Sequence, residues 1–470
     1  MYYNHDCLGQ KGLMGGIEMT RNRIVSFMVA VITLFCVAGM FACKKEDEQN
    51  AKTTYITVWI HKSKSDDEGK IYSTVTDEFN EAGHKTSDGK RDLKIKLEYK
   101  GTPETLQSSI SSEMLTGGLP DVIAIDAVSY AAYASEQVIV PIDEYVTTED
   151  RAEYLDSVID AATINGKLYG LTGQEGPGGL YYNNEMITDA VLAEAGLGGF
   201  GTVENPWSWK DVKKVLEVLR KKDKSNNKNA SQIKLNLGFG GDEGCMWLYS
   251  SLVYSAGGIF AENEVLDGYM NSAKAVAGLA QMEMFFKKDG GINYSYSGAN
   301  EDAFAQGVVP MSVFGAWDIL TINREYPEMN GKYGIMPMPV YEDEKGNKGV
   351  IASPCGSWGF AVTKDARRAT DAVTVIKYLT GEYCSQMMFD GIGAMPANVN
   401  VLKNSPEFNE DGPYRDLRLL LDVTVPRPKL IKYPQCTVAF GDIIEYIETM
   451  SGDESYDLQK YVNSKVSAII

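Results

Sequence analysis

Histidine is almost missing from this 470-residue sequence: there are three, His5, His61 and His84, all near the N-terminus. No H-E-x-x-H, no G-x-S-x-G and no phosphate-cradling glycine loop occurs, so the zinc-hydrolase, nucleophile-elbow and P-loop chemistries are excluded. Cysteine is sparse as well. Cys245, Cys355, Cys384 and Cys436 are scattered, form no C-x-x-C pair, and therefore offer no zinc or redox motif. They read as buried free thiols, since a core this large does not need disulfides. A basic excess is lacking: 45 Lys and Arg stand against 64 Asp and Glu, a net charge of -19. Phosphate backbones demand a basic face, so nucleic acid is excluded as a partner. No internal repeat is visible, and only one long apolar run exists.

That run is Ile24 to Ala42, "IVSFMVAVITLFCVAGMFA", with Arg21 and Arg23 ahead of it and Cys43 behind it. A basic start, an apolar stretch and a small residue before a cut form an export signal. The segment resembles a bacterial lipoprotein signal, which implies that Cys43 is lipidated and becomes the mature N-terminus. The alternative is an uncleaved membrane anchor, because about 20 apolar residues span a bilayer. Both put the bulk of the chain outside the membrane. Residues 1–18 look unlike a signal, and Met19 is the expected start.

Beyond the seam, residues 43–52 are a charged, aromatic-free tether. The chain as a whole has an ordinary globular balance, 44% hydrophobic and 23% charged, and the part beyond the tether carries most of it. That part is too long for one core, so two domains are expected. "TTYITVWI", "DLKIKLEYKG" and "LPDVIAID" read as strands, with helices between them at "KIYSTVTDEFNEAG" and "TPETLQSSISSEMLTGG". Thr102 is the expected N-cap of the second helix, Pro103 fits its first turn, and Gly117 ends it. This β-α-β-α-β order predicts a parallel sheet with helices on both faces, an α/β fold. Later, "WSWKDVKKVLEVLRKKD" and "AKAVAGLAQMEMFFKKDGG" read as helices, and "YGIMPMPV" reads as a strand that its prolines place either at an edge or between domains.

Several stretches, in order, resemble the family 1 extracellular solute-binding proteins, the maltose-binding-like receptors of ABC importers. They are "ITVWIHKS", "LPDVIAIDAVSYAAYA", "INGKLYGL", "GGLYYNNEMITDAVLAEAGL", "PWSWKDV", "AFAQGVVPMSVFGAW" and "GIGAMPANVNV". The resemblance implies a two-lobed periplasmic-binding-protein-like fold, crossing strands between the lobes, and ligand in the cleft. The expected division is a signal at 19–42, lobe one at 53–172 plus 350–396, and lobe two at 173–349 plus 397–470.

A sugar has apolar ring faces and a polar rim, so aromatic planes and carboxylates suit it. Trp59, Trp317 and Trp358 lie at strand ends or turns, where ligands bind in open α/β sheets. Asp126 ends its strand, Glu175 lies in "GQEGPGG", and Asp318 follows Trp317. Trp247 follows "GDEGC", which matches the family's loop into a cleft helix, and His61 is a candidate hydrogen-bonding group. Each has a plain structural alternative: core packing for the tryptophans, helix capping for Asp126 and Asp318. Trp207 and Trp209 are read as core. The pair Tyr181-Tyr182 suggests iron ligation, but strand neighbours face opposite sides, so only one can face a cleft. Asp126 and Glu175 could mimic a glycosidase carboxylate pair; no glycosidase motif accompanies them.

The expected function is a lipid-anchored, non-enzymatic receptor on the outer face of the bacterial cytoplasmic membrane. It captures a sugar or oligosaccharide by hinge closure and delivers it to ABC permease subunits. No cofactor or metal is expected, and a monomer is. The alternative is the same scaffold binding a non-sugar solute (anion, iron or peptide), or acting as a sensor subunit.

Overall fold

The computed structural model describes residues 52–223, 228–238, 241–286 and 292–469. The apolar run, Cys43 and nearly all of the tether lie outside them. No helix among the described residues is long and apolar enough to cross a membrane. Contacts divide the described chain into a small unit, 52–54 with Gly83–Lys94, and a large one, Tyr55–Ala82 with 95–469. In the small unit the chain folds back on itself: Leu93 N–H donates to His84 O at 2.8 Å, and Arg91 Nη1 reaches Thr54 Oγ1 at 3.5 Å.

The large unit holds two main sheets. The first has the order 95–99, 55–60, Val122–Asp126, Trp358–Val362 and Gly170–Leu171. Val58 pairs with Val122 in parallel, as expected, but Trp358–Val362 runs antiparallel to Val122–Asp126. The parallel pairing expected of the first segment holds, and the added antiparallel strand makes the whole sheet mixed. The strand Trp358–Val362 enters only after the second sheet has been built, so no short right-handed crossover dictates its direction. The second sheet has the order Tyr333–Met336, Gly178–Asn183, Met311–Gly315 and Ile233–Lys234. Tyr333–Met336 is at the edge, where Pro337 and Pro339 cost no ladder hydrogen bond.

Two short ladders stand outside both sheets. Gln174–Glu175 pairs antiparallel with Met395–Pro396, and Ser353–Cys355 pairs parallel with Thr424–Pro426.

Local chemistry sets the helix ends. Thr102 Oγ1 accepts from Thr105 N–H at 3.3 Å, Pro103 opens the helix Pro103–Thr116, and Gly117 closes it at φ 76°. Ser208 and Asp211 cap the helix Trp209–Lys222 reciprocally, N–H to side chain at 3.2 and 3.0 Å. Such a box satisfies two of the donors that a helix start leaves open. Trp207 and Trp209 are core residues: both are buried, and Trp207 Nε1 donates to Gly199 O. The segment "AKAVAGLAQMEMFF" is corrected to two helices, Ala273–Ala280 and Glu283–Phe286, joined where Gln281 and Met282 bond back to Gly278 and Leu279. Likewise Gly381, extended at ψ -178°, separates Ala369–Thr380 from Glu382–Ile392.

The tyrosine neighbours do point apart. Tyr181 is enclosed by Phe304, Phe314 and Tyr333, while Tyr182 stacks on Phe200 at 3.7 Å. Cys245, Cys355, Cys384 and Cys436, the four cysteines among the described residues, are buried free thiols. Helix Gly241–Ser255 is enclosed on almost every side, with helix Tyr433–Met450 against it.

Candidate functional site

The strand Met311–Gly315 turns directly into the helix Trp317–Glu325. A Cβ on Gly315 would lie 2.5 Å from Trp317 Cη2. The indole therefore lies flat over a glycine, and a larger residue there would push it away. Trp247, on helix Gly241–Ser255, meets it with ring centroids 5.1 Å apart at 33°. Both tryptophans line a hollow of about 790 Å³, together with Phe314, Asp318, Lys234 and Tyr296. That volume suits a small-molecule ligand, and the mixture of ring faces and polar groups suits one that is itself amphipathic.

Asp318 Oδ2 accepts the Gly315 N–H at 3.0 Å, closing the turn beneath Trp317. Burial raises its carboxyl to about 7, against the small opposing effects of that hydrogen bond and of Lys234. Charge on a carboxylate is disfavoured where water is excluded.

A second group gathers at the ends of the first sheet's strands. Trp358 opens an antiparallel strand, so its register partner is Asp126, the last residue of Val122–Asp126. This brings both to one edge. His61 stacks on Trp358 at 3.8 Å with 15° between planes, and its Nδ1 has no partner. Burial holds its pKa well below the ordinary value, aided by the charge of Lys62, so the ring is neutral at pH 7. Glu68 lies 3.8 Å from His61 Nε2 but pairs with Lys62 at 3.0 Å.

Asp126 does not cap the turn that follows it. Its carboxylate takes both arms of Arg427, Nη2 to Oδ1 at 2.5 Å and Nη1 to Oδ2 at 3.1 Å. Arg427 also bonds Glu243, which accepts from Tyr433 Oη at 2.7 Å. The guanidinium is buried, and its Nε finds no hydrogen-bond partner among the described residues. Sequence reasoning missed Arg427 and Glu243. Arg427 sits between two prolines in "TVPRPKL", a context that marks a turn and says nothing of a buried charge.

Glu175 is buried and holds main chain: it accepts from Gly176 N–H at 2.9 Å, Gly356 N–H at 3.0 Å and Ser157 Oγ at 3.1 Å. Burial raises its pKa despite those bonds. Glu175 thereby ties the chain at 174–176 to the chain at 356. The next residue, Gly176, joins the two groups, since a Cβ there would lie 2.5 Å from Gly356 O and 3.7 Å from Trp317 Cζ3.

Trp59 stands apart from the other candidates. Its Nε1 donates to Glu98 at 2.9 Å, and Lys100 Nζ lies 3.6 Å over its ring. It lines a separate hollow with Ser108, Ser109 and Ser112. The candidates thus fall into three sets: Trp247, Trp317 and Asp318; His61, Asp126, Glu175 and Trp358; and Trp59 alone. No cluster of metal-ligating side chains occurs among the described residues.

Comparison with known proteins identifies the family and the fold. The bacterial extracellular solute-binding protein family matches residues 74–414. The galactooligosaccharide-binding protein of Bacillus subtilis (strain 168) is 20% identical over 459 residues, covering 94% of this chain and 96% of that protein. The sugar-binding protein of the phytopathogen Xanthomonas citri superposes with a TM-score of 0.70 at 17% identity, covering 88% of this chain and 96% of that one. The cyclic α-maltosyl-1,6-maltose binding protein of Arthrobacter globiformis gives 0.67 at 18% identity, over 89% and 99%. An ABC transporter solute-binding protein of Thermotoga lettingae, bound with α-D-tagatose, gives 0.65 at 19%, over 88% and 98%. These are binding proteins rather than enzymes, and they share the two-lobed α/β fold expected from the sequence. The chain belongs to the bacterial extracellular solute-binding protein family.

Proposed function

We propose that the protein is a receptor that captures a sugar or oligosaccharide outside the cytoplasmic membrane and hands it to the permease subunits of an ABC importer. The observation that carries this reading is the Trp247–Trp317 pair beside a hollow of about 790 Å³. Two tilted indoles offer apolar planes to sugar ring faces, while Asp318 and Lys234 meet the hydroxyls. The relatives' sugar ligands agree with it.

In this reading the two lobes are 53–172 plus 350–396 and 173–349 plus 397–470, each built on one of the two main sheets. The ladders at 174–175 with 395–396 and 353–355 with 424–426 serve as the joint. Ligand contacts from both sides favour the closed form. Asp126, His61, Trp358 and Glu175 shape the edge of the first sheet. The pairing of Asp126 with Arg427 leaves it few free lone pairs for a ligand. The receptor is anchored through lipid on Cys43 and works as a monomer.

The test is a thermal-shift screen against a carbohydrate panel. A ligand present at 100 times its Kd stabilises the folded state by about 2.7 kcal/mol, an easily read shift. Sugar hits, with radius of gyration falling in small-angle scattering on saturation, are the expected result. Shifts only with anions, iron or peptides would refute the sugar reading.

A further inference from the structure

The hollow beside Trp247 and Trp317 has Asp318, Glu301, Asp302 and Glu448 among its lining residues, against a single cation, Lys234. Lys234 is already engaged, with Nζ donating to the main-chain carbonyls of Asn300 and Glu301. Glu301, Asp302 and Glu448 are exposed at the rim, whereas Asp318 is half-buried, next to Trp317. Asp318 makes no ion pair with any described residue; its one hydrogen bond comes from the Gly315 N–H. Burial pushes its carboxyl up, and the only described cation acting on it, Lys234, does so from beyond ion-pair distance.

Resting on the sugar-receptor reading, we propose that the ligand is an amino sugar, or an oligosaccharide containing one, whose ammonium group is held by Asp318 beside the Trp247–Trp317 pair. Three observations meet here. A carboxylate without a cationic partner, in a water-poor hollow, gains a charge-assisted hydrogen bond from an ammonium that a neutral hydroxyl cannot match. The adjoining indole faces attract a cation through their quadrupole. The rim carboxylates favour a cation's approach and repel acidic sugars. Neutral sugars gain the stacking and a hydroxyl hydrogen bond without the charge of an ammonium.

The experiment is calorimetric titration of the full chain with matched pairs in which an amine replaces a hydroxyl: glucosamine and glucose, galactosamine and galactose, and the β-1,4-linked trimers of glucosamine and glucose. A carbohydrate panel is screened beside them. The amine member should bind at least tenfold more tightly, a difference of about 1.4 kcal/mol. Added salt should shrink the gap. Asp318→Asn keeps an acceptor for the Gly315 N–H and should cut the ratio to about threefold or less. Should that variant not fold, Glu301→Gln with Asp302→Asn on the exposed rim should still lower the ratio about two- to threefold. Equal or tighter binding of the hydroxyl member, or panel hits confined to neutral sugars, overturns the amino-sugar assignment and leaves the sugar receptor standing. A ratio unchanged in Asp318→Asn overturns the role of Asp318. A protein that binds no sugar of any kind loses both readings.

Discussion

Arg427 grips Asp126 through both guanidinium arms, at 2.5 and 3.1 Å, and shares one of them with Glu243. An arginine from the last tenth of the chain thus neutralises the carboxylate that ends a strand of the first sheet. Glu243 belongs to the first turn of helix Gly241–Ser255, so the same cation joins that helix to the strand's end. Removing it would leave two carboxylates facing a buried site. Arg427→Met should cost about 3–5 kcal/mol of stability, the penalty of breaking a buried pair. Denaturant unfolding measures it. Arg427→Met with Asp126→Asn and Glu243→Gln together should recover much of the loss, because no uncompensated charge remains. A single variant as stable as the parent would show that the network contributes little.

Trp317→Ala should weaken ligand binding by roughly ten- to several-hundred-fold, as expected from losing a few kcal/mol of buried aromatic surface at ~25 cal/mol per Å². Stability should fall much less than the about 3–5 kcal/mol of a core tryptophan such as Trp209. Gly315→Ala should mimic it in part, since the new Cβ would sit where the Trp317 ring now lies. Titration followed by tryptophan fluorescence reads both. Normal binding by a destabilised Trp317→Ala would assign the residue to the core and pass the stacking role to Trp247 or Trp358.

His61 has a folded pKa well below its ordinary value because it is buried. The unfolded chain therefore binds the proton first, and stability must rise with pH across the interval between the two values. The contribution is fully present above about 6.5, the unfolded value, and is lost as pH falls below it. His61→Phe keeps a ring against Trp358 and removes the titration. Urea midpoints between pH 7.5 and 5 should drop more for the parent than for this variant. Parallel curves would contradict the burial argument.

If Cys43 carries the proposed lipid, Cys43→Ala should release the protein from membranes, because acyl chains would supply the anchorage. Membrane fractionation with mass analysis checks it. A variant that still pellets, at the mass of the uncleaved chain, would make the apolar run itself the anchor.

Much of the local structure was legible in the residues. Thr102, Pro103 and Gly117 marked one helix, and the prolines after Met336 marked a strand at an edge or between domains. The period of two along a strand separated Tyr181 from Tyr182. These are near-neighbour effects, governed by dihedral preference, capping and side-chain direction, and a linear sequence carries them directly.

Other features were settled only by the tertiary structure. Trp358 lies opposite Asp126 because its strand runs antiparallel, a direction no local pattern encodes. Asp126 meets Arg427 301 residues away, and Glu175 spends its carboxylate on the chain at Gly176 and Gly356. Trp59, at a strand end like the others, turned out to hold Glu98 and Lys100 instead of joining Trp358. The sequence by itself determined most helices and strands, though not the break at Gln281 and Met282, and also the order of its motifs and the family they mark. Which carboxylate is paired, which is left exposed to a ligand and which indoles come together depend on contacts between distant segments. Burial and Coulomb energy act through space, and only the folded chain decides which charges share a water-poor site.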